Sequence, residues 1–496
     1  MKSPSGELFQ LIHSMSKPEK RYFTLQAERH FPGDNQYAKL FQLIESRAFY
    51  DEAELLKLFK PTISAAHFAV LKKQLYENVL EALHRYDEFA DPEQKISKGI
   101  HYCNILLNKG LYDQCIKQIK KYKTLAYKYE KFENVIDLIE IEKRWITKTQ
   151  FSSVTFKQLG VLSTELIFCA DQLKTSNTYW LQSNTIYKLH YEKEIAKGKE
   201  NKELYRLIGD EQFIDESKAT TFKAKLDRLQ IKALHAFVNG NVENAYELNS
   251  NFLQLIDKNI HLKSLFADRY FSALNNYLID SLILQKFDAL LKGIDVLRTL
   301  PGLPEFKHIQ HLEANVFRLS YLLELNYFVS QELFKEALLC VEQVKKGLKK
   351  HGEKIPKPNI ITLRYLSAYV MFCNGKFEDC ISELLRLFKI KESEMIPDLY
   401  RDSRIMQLLC HFELGDYFLV ESQIISLQRY LSAQKMKYQT YGAIIRFIKQ
   451  YAQKIQKPKK TDLEIKLISF AQNENEKMVF NNINYLYWIR NISKTK

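Results

Sequence analysis

Residues 361–390 read ITLRYLSAYVMFCNGKFEDCISELLRLFKI, and this stretch decides the predicted fold. Apolar residues stand seven and three positions before its central glycine, and two and five positions after it: Ala368, Phe372, Phe377 and Cys380. Spacings of three and four residues place side chains on one face of a helix. Glycine adopts a positive φ at a helix end without steric penalty. The stretch therefore predicts two helices with facing apolar stripes, joined by a tight turn at Gly375.

The same register recurs along most of the chain. Its turn residues are Gly110, Gly240, Gln285, Glu332, Gly375 and Gly415. After a first gap of 130 residues the gaps are 45, 47, 43 and 40 residues, and 130 is three steps of about 43. Two degenerate units are therefore expected between residues 120 and 230, with turns near Ser152–Ser153 and Gly198.

The composition also favours helices. The 496 residues include 15 glycines and 11 prolines, where average usage gives roughly 35 and 25. Both residue types break helices, and β-proteins need them at their turns. Hydrophobic residues make up 46% and charged residues 27%, which argues against disorder. We predict an all-α fold.

The turn pattern G-x-[FY]-x-x-[AC], with a small residue seven positions before the turn, resembles the tetratricopeptide repeat over roughly residues 95–435. The resemblance implies a right-handed α-solenoid of stacked antiparallel helix pairs, in which the first helix of each pair, helix A, lines a concave groove. The period of 40–47 residues exceeds the family's period of about 34. The family's early aromatic residue and closing proline are missing, so we expect a widened superhelix.

Three regions are predicted: an N-terminal helical cap (1–90), the repeats (91–435, with a break near 198–209) and C-terminal capping helices (436–496). Terminal repeats are commonly atypical caps. In the first region, Ser16 and Glu19 form a capping-box sequence, and a helix is expected over 64–86. Three helices with tight turns leave a helix-turn-helix module for DNA as the alternative.

The net charge and the cysteines indicate the cellular compartment in which the protein is expected. The formal net charge is +14, which favours attraction to polyanions. Seven scattered cysteines without zinc spacing predict buried, reduced thiols and hence a reducing compartment. The N-terminus lacks a signal-peptide pattern, and about 18 uninterrupted apolar residues occur nowhere. We expect a cytoplasmic protein without a membrane span.

One position of the repeat suggests a row of partner-binding side chains, called here the ladder. Eleven residues before their turns stand Tyr321, Arg364 and Arg404, which should lie on successive A helices. Tyrosine and arginine are enriched at binding hot spots, so these three side chains are candidate anchors in the groove. Chance is the alternative, since only three of six units share the feature.

Two lysine-rich helices are candidate phosphate-binding patches, and lysines with interleaved aromatics can bind phosphates while rings stack on bases. The first patch follows Gly110 and the second follows Glu332; their lysines are Lys117, Lys120, Lys121, Lys123, Lys345, Lys346, Lys349 and Lys350. The favoured interpretation is a solvated outer helix face, because helical spacing explains the pattern without a ligand.

The functional hypothesis is a non-catalytic scaffold or adaptor that binds a protein or peptide along its concave face. Nucleic-acid or ribonucleoprotein binding is the alternative, and a regulator with an N-terminal helix-turn-helix module is a third. No phosphate loop, dinucleotide turn, metal helix or nucleophile elbow is found in the sequence, so we expect neither enzyme activity nor a cofactor. The partner and the oligomeric state are not given by the sequence.

Overall fold

The computed structural model describes residues 5–30, 36–47, 49–59, 64–87, 92–152, 154–195, 217, 219–391, 394–434, 438–452, 458–480 and 482–492. Within these ranges every regular element is a helix, which confirms the all-α prediction. The chain divides into two compact units, Met1–Leu181 with Glu216–Lys225 and Gln182–Asp215 with Leu226–Lys496. The predicted region boundaries stay predictions, and the expected break near 198–209 lies outside the described residues.

The first unit begins with two helical groups. Its helices are α1 (Ser5–Ser14), α2 (Lys17–His30), α3 (Gln36–Glu45), α4 (Glu52–Phe59), α5 (Ala65–Asp87), α6 (Pro92–Asn108), α7 (Tyr112–Lys128) and α8 (Phe132–Lys148). Helices α1 to α5 share one apolar core, and α6 to α8 belong to a second. Helices α9 (Phe156–Ile195) and α10 (Phe222–Val238) each run across the division between the units.

The second unit continues with consecutive helices. They are α11 (Val242–Asp257), α12 (Ile260–Lys263), α13 (Ala267–Ile283), α14 (Phe287–Thr299), α15 (Leu312–Ser330), α16 (Phe334–His351), α17 (Lys357–Cys373), α18 (Phe377–Phe388), α19 (Pro397–Leu414), α20 (Tyr417–Ala433), α21 (Gln439–Ala452), α22 (Lys460–Ala471), α23 (Glu474–Lys477) and α24 (Tyr485–Tyr487). From α13 to α22 each helix packs against the next, and α13, α15, α17 and α19 also contact one another in sequence. This consecutive packing is compatible with a solenoid.

All six predicted turns have the same backbone hydrogen bonds. The turn residue donates its N–H to the carbonyl three residues earlier, and the following N–H reaches five residues back, as Gly375 and Lys376 do to Phe372 and Met371. This is the Schellman motif, which requires a left-handed residue. Four turns use glycine with φ between 70° and 79°, whereas Gln285 and Glu332 adopt φ of 56° and 53°.

The predicted apolar stripes largely form the core. Residues seven positions before each turn and five positions after it are buried in all six units: Cys103, Ala233, Leu278, Leu325, Ala368, Leu408, Cys115, Ala245, Leu290, Ala337, Cys380 and Val420. Three positions before the turn, Leu107, Phe372 and Phe412 are buried, whereas Phe237 is 37% exposed. The exposure of Phe237 has a local cause, because its ring borders a cavity.

One expected hidden unit is visible. Its turn residues are Gln150 and Phe151, both with positive φ, just before the expected Ser152–Ser153. A further turn at Glu130 (φ 52°) was not predicted, although Glu130-Lys-Phe132-Glu-Asn-Val135 follows the repeat pattern. It joins α7 to α8 with the same hydrogen bonds. The turn expected near Gly198 lies outside the described residues.

The N-terminal helices follow their capping signals. The Ser16 N–H donates to Glu19 Oε2 at 2.6 Å, and the Glu19 N–H reaches Ser16 Oγ at 3.5 Å, so the capping box forms at the start of α2. In α5, Lys72 is buried and pairs with Glu52 at 2.5 Å. Since Lys72 is directed into the fold and Arg85 pairs with Glu81, part of the basic charge of α5 is neutralised within the chain.

The C-terminal segment packs across several repeats. Beyond α22, the described residues form α23, a short 3₁₀ turn, and then α24, which continues as a π-turn over Trp488–Ile492. The Trp488 indole N–H donates to Glu413 at 2.9 Å on α19, and the Asn482 amide donates to Asp402 at 2.8 Å. Tyr365 of α17 donates its hydroxyl to the Asn482 carbonyl. The segment thus covers α17 and α19 and, together with the neighbouring helices, leaves every residue of α17 from 365 to 373 buried.

Candidate functional site

The second unit contains a cavity of about 240 Å³ between helices α10, α11 and α13, with Tyr187 of α9 also on its wall. Apolar side chains form much of the wall, among them Ala233, Phe237, Phe252 and Ile279. Small-molecule and side-chain sites in proteins combine such apolar walls with a few placed polar groups. The cavity is therefore the candidate binding site.

A buried polar pair lies on the cavity wall. Asn249 of α11 donates its side-chain N–H to Asp280 Oδ2 of α13 at 2.8 Å. Asp280 is 1% exposed and Asn249 is 7% exposed. Burial disfavours the ionised carboxyl and raises the pKa of Asp280 to about 6, although the hydrogen bond from Asn249 opposes the shift.

The repeat register shows that Asn249 is unusual. It lies nine positions after its turn, and the other five units have an aliphatic residue there: Ile119, Ile294, Val341, Leu384 and Ile424. All six residues are buried. A polar residue at a core position costs stability unless it is hydrogen-bonded, so its presence in one unit alone points to a local role.

A second polar group lies toward the other end of α13. Arg269 borders the same cavity and pairs with Asp227 at 2.7 Å, and its guanidinium also donates to Gln230 at 2.7 Å. The guanidinium lies 5.4 Å from the centre of the Phe252 ring. Its charge is thus compensated within the chain, and its position is held by ion-pair, hydrogen-bond and ring contacts.

The predicted ladder residues are half-buried and contact other side chains. They lie on α15, α17 and α19, which contact one another in sequence. Arg364 pairs with the buried Glu383 at 2.5 Å, and Arg404 donates to Ser426 at 2.6 Å beside the Tyr430 ring. The Arg298 guanidinium lies 4.8 Å from the centre of the Tyr321 ring. Their role as partner anchors stays a prediction.

The predicted lysines of α7 differ in exposure. Lys117, Lys120 and Lys121 are exposed on α7, whereas Lys123 is half-buried between Glu142 and Glu165, at 2.6 and 2.7 Å. Lys121 also lies 5.1 Å from the centre of the Tyr122 ring.

The lysines of α16 are mostly solvated. Lys346 and Lys349 are exposed, Lys345 pairs with Glu342 at 2.9 Å, and Lys350 lies 3.6 Å from Glu313. The exposed lysines follow the solvated helix face expected from their spacing, and nucleic-acid binding through them stays a prediction.

The cysteines provide no accessible nucleophile. All seven are free and buried, as predicted. Burial raises the pKa of Cys103 to about 12, so the reactive thiolate is scarce at neutral pH. Within the described ranges, no cluster of three or more His, Cys, Asp or Glu side chains is arranged to hold a metal ion.

The fold defines an all-helical, repeat-like protein with a solvent-open cavity in its second unit. In comparisons with known proteins, no protein-family model, curated protein or solved structure matches this chain. In the part of the chain that the structure describes, no helix is both long and apolar enough to cross a membrane.

The cavity was not predicted from the sequence, but a signal was present. Asn249 breaks an aliphatic register position that five other units keep, and it could have been found by aligning the repeats. The contact between Asn249 and Asp280 could not be predicted from the sequence, because it joins α11 to α13, a helix of the next repeat.

Proposed function

We propose that this protein is a non-catalytic scaffold that binds a peptide segment of a partner protein, with its helix pairs stacked as a right-handed, tetratricopeptide-like solenoid. The observation that supports the proposal is the Asn249–Asp280 pair, which places buried polarity on a cavity wall where the other units have aliphatic packing. Repeat stacks expose extended surfaces suited to peptides, and side-chain cavities along them give specificity.

The C-terminal segment covers part of the helical surface and so reduces the area on which such a partner can bind. Residues 482–489 cover α17 and α19 of the second unit, so these two helices already have an intramolecular partner there. The cavity between α10, α11 and α13 is lined by other residues. The proposed partner therefore engages the helices near residues 226–283 rather than those near 365–413.

The test is affinity capture of the tagged full-length protein from its native lysate, with and without nuclease treatment, comparing wild type with Ser272→Trp. Ser272 is exposed and borders the cavity, so an indole there blocks entry with little effect on the core. Ser422→Trp is the matched control, because Ser422 is exposed on α20. We expect the same protein partners with wild type and control, and their loss with Ser272→Trp.

Two results would count against this function. Partners that disappear on nuclease treatment of the wild type would favour nucleic-acid binding instead. Partners that Ser272→Trp retains in full, with helicity unchanged by circular dichroism, would place the binding surface elsewhere.

A further inference from the structure

The Asp280 carboxyl lies in the fold without a cationic partner. Among the described residues, no Lys, Arg or His side chain forms an ion pair with it, and its side-chain hydrogen bond comes from the neutral Asn249 amide. Two other buried acids are ion-paired, Asp402 with Arg401 at 2.8 Å and Glu383 with Arg364 at 2.5 Å. The buried Glu476 accepts three hydrogen bonds from Gln439 and Thr440, whereas one hydrogen bond to Asp280 is seen. A buried carboxylate is costly unless it is paired, so its position on a cavity wall requires an explanation.

We propose that this cavity binds the cationic side chain of a lysine or arginine in the partner peptide, with the charged head on Asp280. The inference rests on the proposed function and names the chemistry that the partner presents to this site. The occupant is identified by charge complementarity, since an incoming cation supplies the counter-charge that the described residues do not supply to Asp280.

The head group has acceptors available. The Asn249 amide donates to Asp280 Oδ2, which leaves Asp280 Oδ1 and the Asn249 side-chain carbonyl as acceptors on the same wall. Asn276, one turn before Asp280 on α13, adds a further amide to the cavity lining. An ammonium has three donors and a guanidinium five, so both heads can be satisfied by such a set.

The rest of the cavity suits the hydrocarbon stem of such a side chain. Lysine and arginine carry three or four methylenes that pack along apolar surface while the charged head reaches a polar end. Phe237 and Phe252 border the cavity, and Ile279 precedes Asp280. The cavity volume of about 240 Å³ is sufficient for one lysine or arginine side chain.

Arg269 does not neutralise Asp280. The two residues are eleven positions apart on α13, so their Cα atoms are separated by roughly 16 Å along the helix axis. The Arg269 guanidinium is held by Asp227 and Gln230 of α10. The cavity therefore has an uncompensated acidic end and a compensated basic end, and a cation is favoured at the acidic end.

The carboxyl controls the expected pH dependence of cation binding. The titratable groups on the cavity wall are Tyr187, Arg269 and Asp280, and the ion-pair partner of Arg269 is Asp227 of α10. Burial and the Asn249 hydrogen bond set the Asp280 pKa of about 6, without a contribution from charged groups of the neighbouring helices α11, α14 and α15. A cation should thus bind about tenfold more weakly at pH 5 than at pH 7.5, because the Asp280 carboxyl is mostly protonated at pH 5.

The experiment uses small probes on the full-length protein. The cations n-butylguanidinium and n-butylammonium are titrated by NMR or calorimetry at pH 7.5, with n-butylurea as the neutral analogue of the same shape. We expect a Kd on the order of 1 mM for at least one cation, given the limited affinity of so few atoms. The neutral analogue should bind at least tenfold more weakly.

The variant Asp280→Asn should lose cation binding at least tenfold while keeping the hydrogen bond with Asn249. The control Asp288→Asn makes the same change of charge at an exposed position of α14 and should bind like wild type. Equal binding of n-butylurea and the cations, no binding of either cation, or full cation binding by Asp280→Asn would overturn the inference.

The two proposals fail separately. If Ser272→Trp abolishes partner capture but Asp280→Asn keeps both the partner and the probes, peptide binding stands and the cationic side chain is wrong. If the probes bind through Asp280 but nuclease-resistant partners are not captured, the cation site stands and the scaffold function is wrong.

Discussion

At the residue scale, one buried hydrogen bond distinguishes one helical repeat from the others. Asn249 occupies a position that is aliphatic in five other repeats, and it contacts Asp280 on α13. Replacing packing by polar contact costs stability, and proteins retain such costs mainly at functional sites. The buried pair Arg401–Asp402 differs, because its charges compensate each other.

The substitution Asp280→Asn should stabilise the protein at neutral pH. The folded-state pKa is raised from 3.8 to about 6, so the folded protein favours the protonated carboxyl. The protonated Asp280 carboxyl therefore contributes its full stability below about pH 4, and this contribution is lost as the pH rises through 6. At pH 7.5 the free energy of unfolding of the wild type is lower by about 2–3 kcal/mol as a result. Urea unfolding should therefore show Asp280→Asn more stable than wild type by this amount at pH 7.5 and equal to it near pH 4.

The control for this stability measurement is Asp288→Asn, which removes an exposed carboxyl from α14. Its unfolding free energy should follow the wild-type pH dependence within about 0.5 kcal/mol. A wild-type stability that does not decrease between pH 5 and 7.5, relative to Asp280→Asn, would contradict the burial argument.

At the scale of the elements, the fold depends on a left-handed residue at each turn between helices. The Schellman hydrogen bonds are the same at glycine turns and at Gln285 and Glu332. A non-glycine residue at positive φ is strained by about 1–2 kcal/mol. The two non-glycine turns therefore form because packing of the flanking helices offsets local strain.

Replacing the turn glycine at 375 tests this point. A Cβ added to Gly375 meets nothing within 4 Å, so Gly375→Ala changes only the backbone preference at φ 70°. We expect a loss of about 1–2 kcal/mol in unfolding free energy, or earlier hydrogen exchange in α17 and α18. Conversely, Gln285→Gly should be neutral or stabilising in the same measurements, because the Gln285 side chain is exposed and its backbone has φ of 56°.

The matched control is Gly352→Ala, since Gly352 also has open space around an added Cβ but adopts φ of −53°. Alanine fits that backbone, so the substitution should stabilise by about 0.4–1 kcal/mol through the unfolded chain. If both alanine variants changed stability equally, positive φ would not be the cause.

At the scale of the whole molecule, the C-terminal segment closes part of the second unit. Trp488 is fully buried, and its indole N–H donates to Glu413, which lies 75 residues earlier in the chain. The Tyr487 ring lies 4.7 Å from Phe334, at the start of α16. These contacts join distant repeats, whereas the rest of the unit is held mainly by neighbouring helices.

Removing the Trp488 side chain should destabilise this region strongly. Trp488→Ala leaves a cavity and deprives the buried Glu413 of a donor, at a cost of about 3–5 kcal/mol. The measurement is amide hydrogen exchange of α17 and α19 together with thermal unfolding. Trp180→Ala is the control, because Trp180 is 63% exposed and its loss should change stability far less. Unchanged protection of α17 in Trp488→Ala would show that the segment is not needed.

The local structure was predictable because it depends on short-range patterns. The turns, the capping box of α2 and the burial of both flanking stripes follow from spacings of three to seven residues within one helix pair. The missed turn at Glu130 obeys the same rule and was readable in principle. The binding roles predicted for Tyr321, Arg364, Arg404 and the lysines concern surfaces, and such roles depend on molecules outside the chain.

By itself, the sequence determined that this protein is all-helical, which residues form the turns and which faces are buried, because periodicity and turn geometry are local. Only the tertiary structure decided that Asp280 meets Asn249 across a cavity and that residues 482–489 cover α17 and α19. Those contacts join helices from different repeats of the second unit, and their geometry depends on how the helices pack rather than on any local spacing.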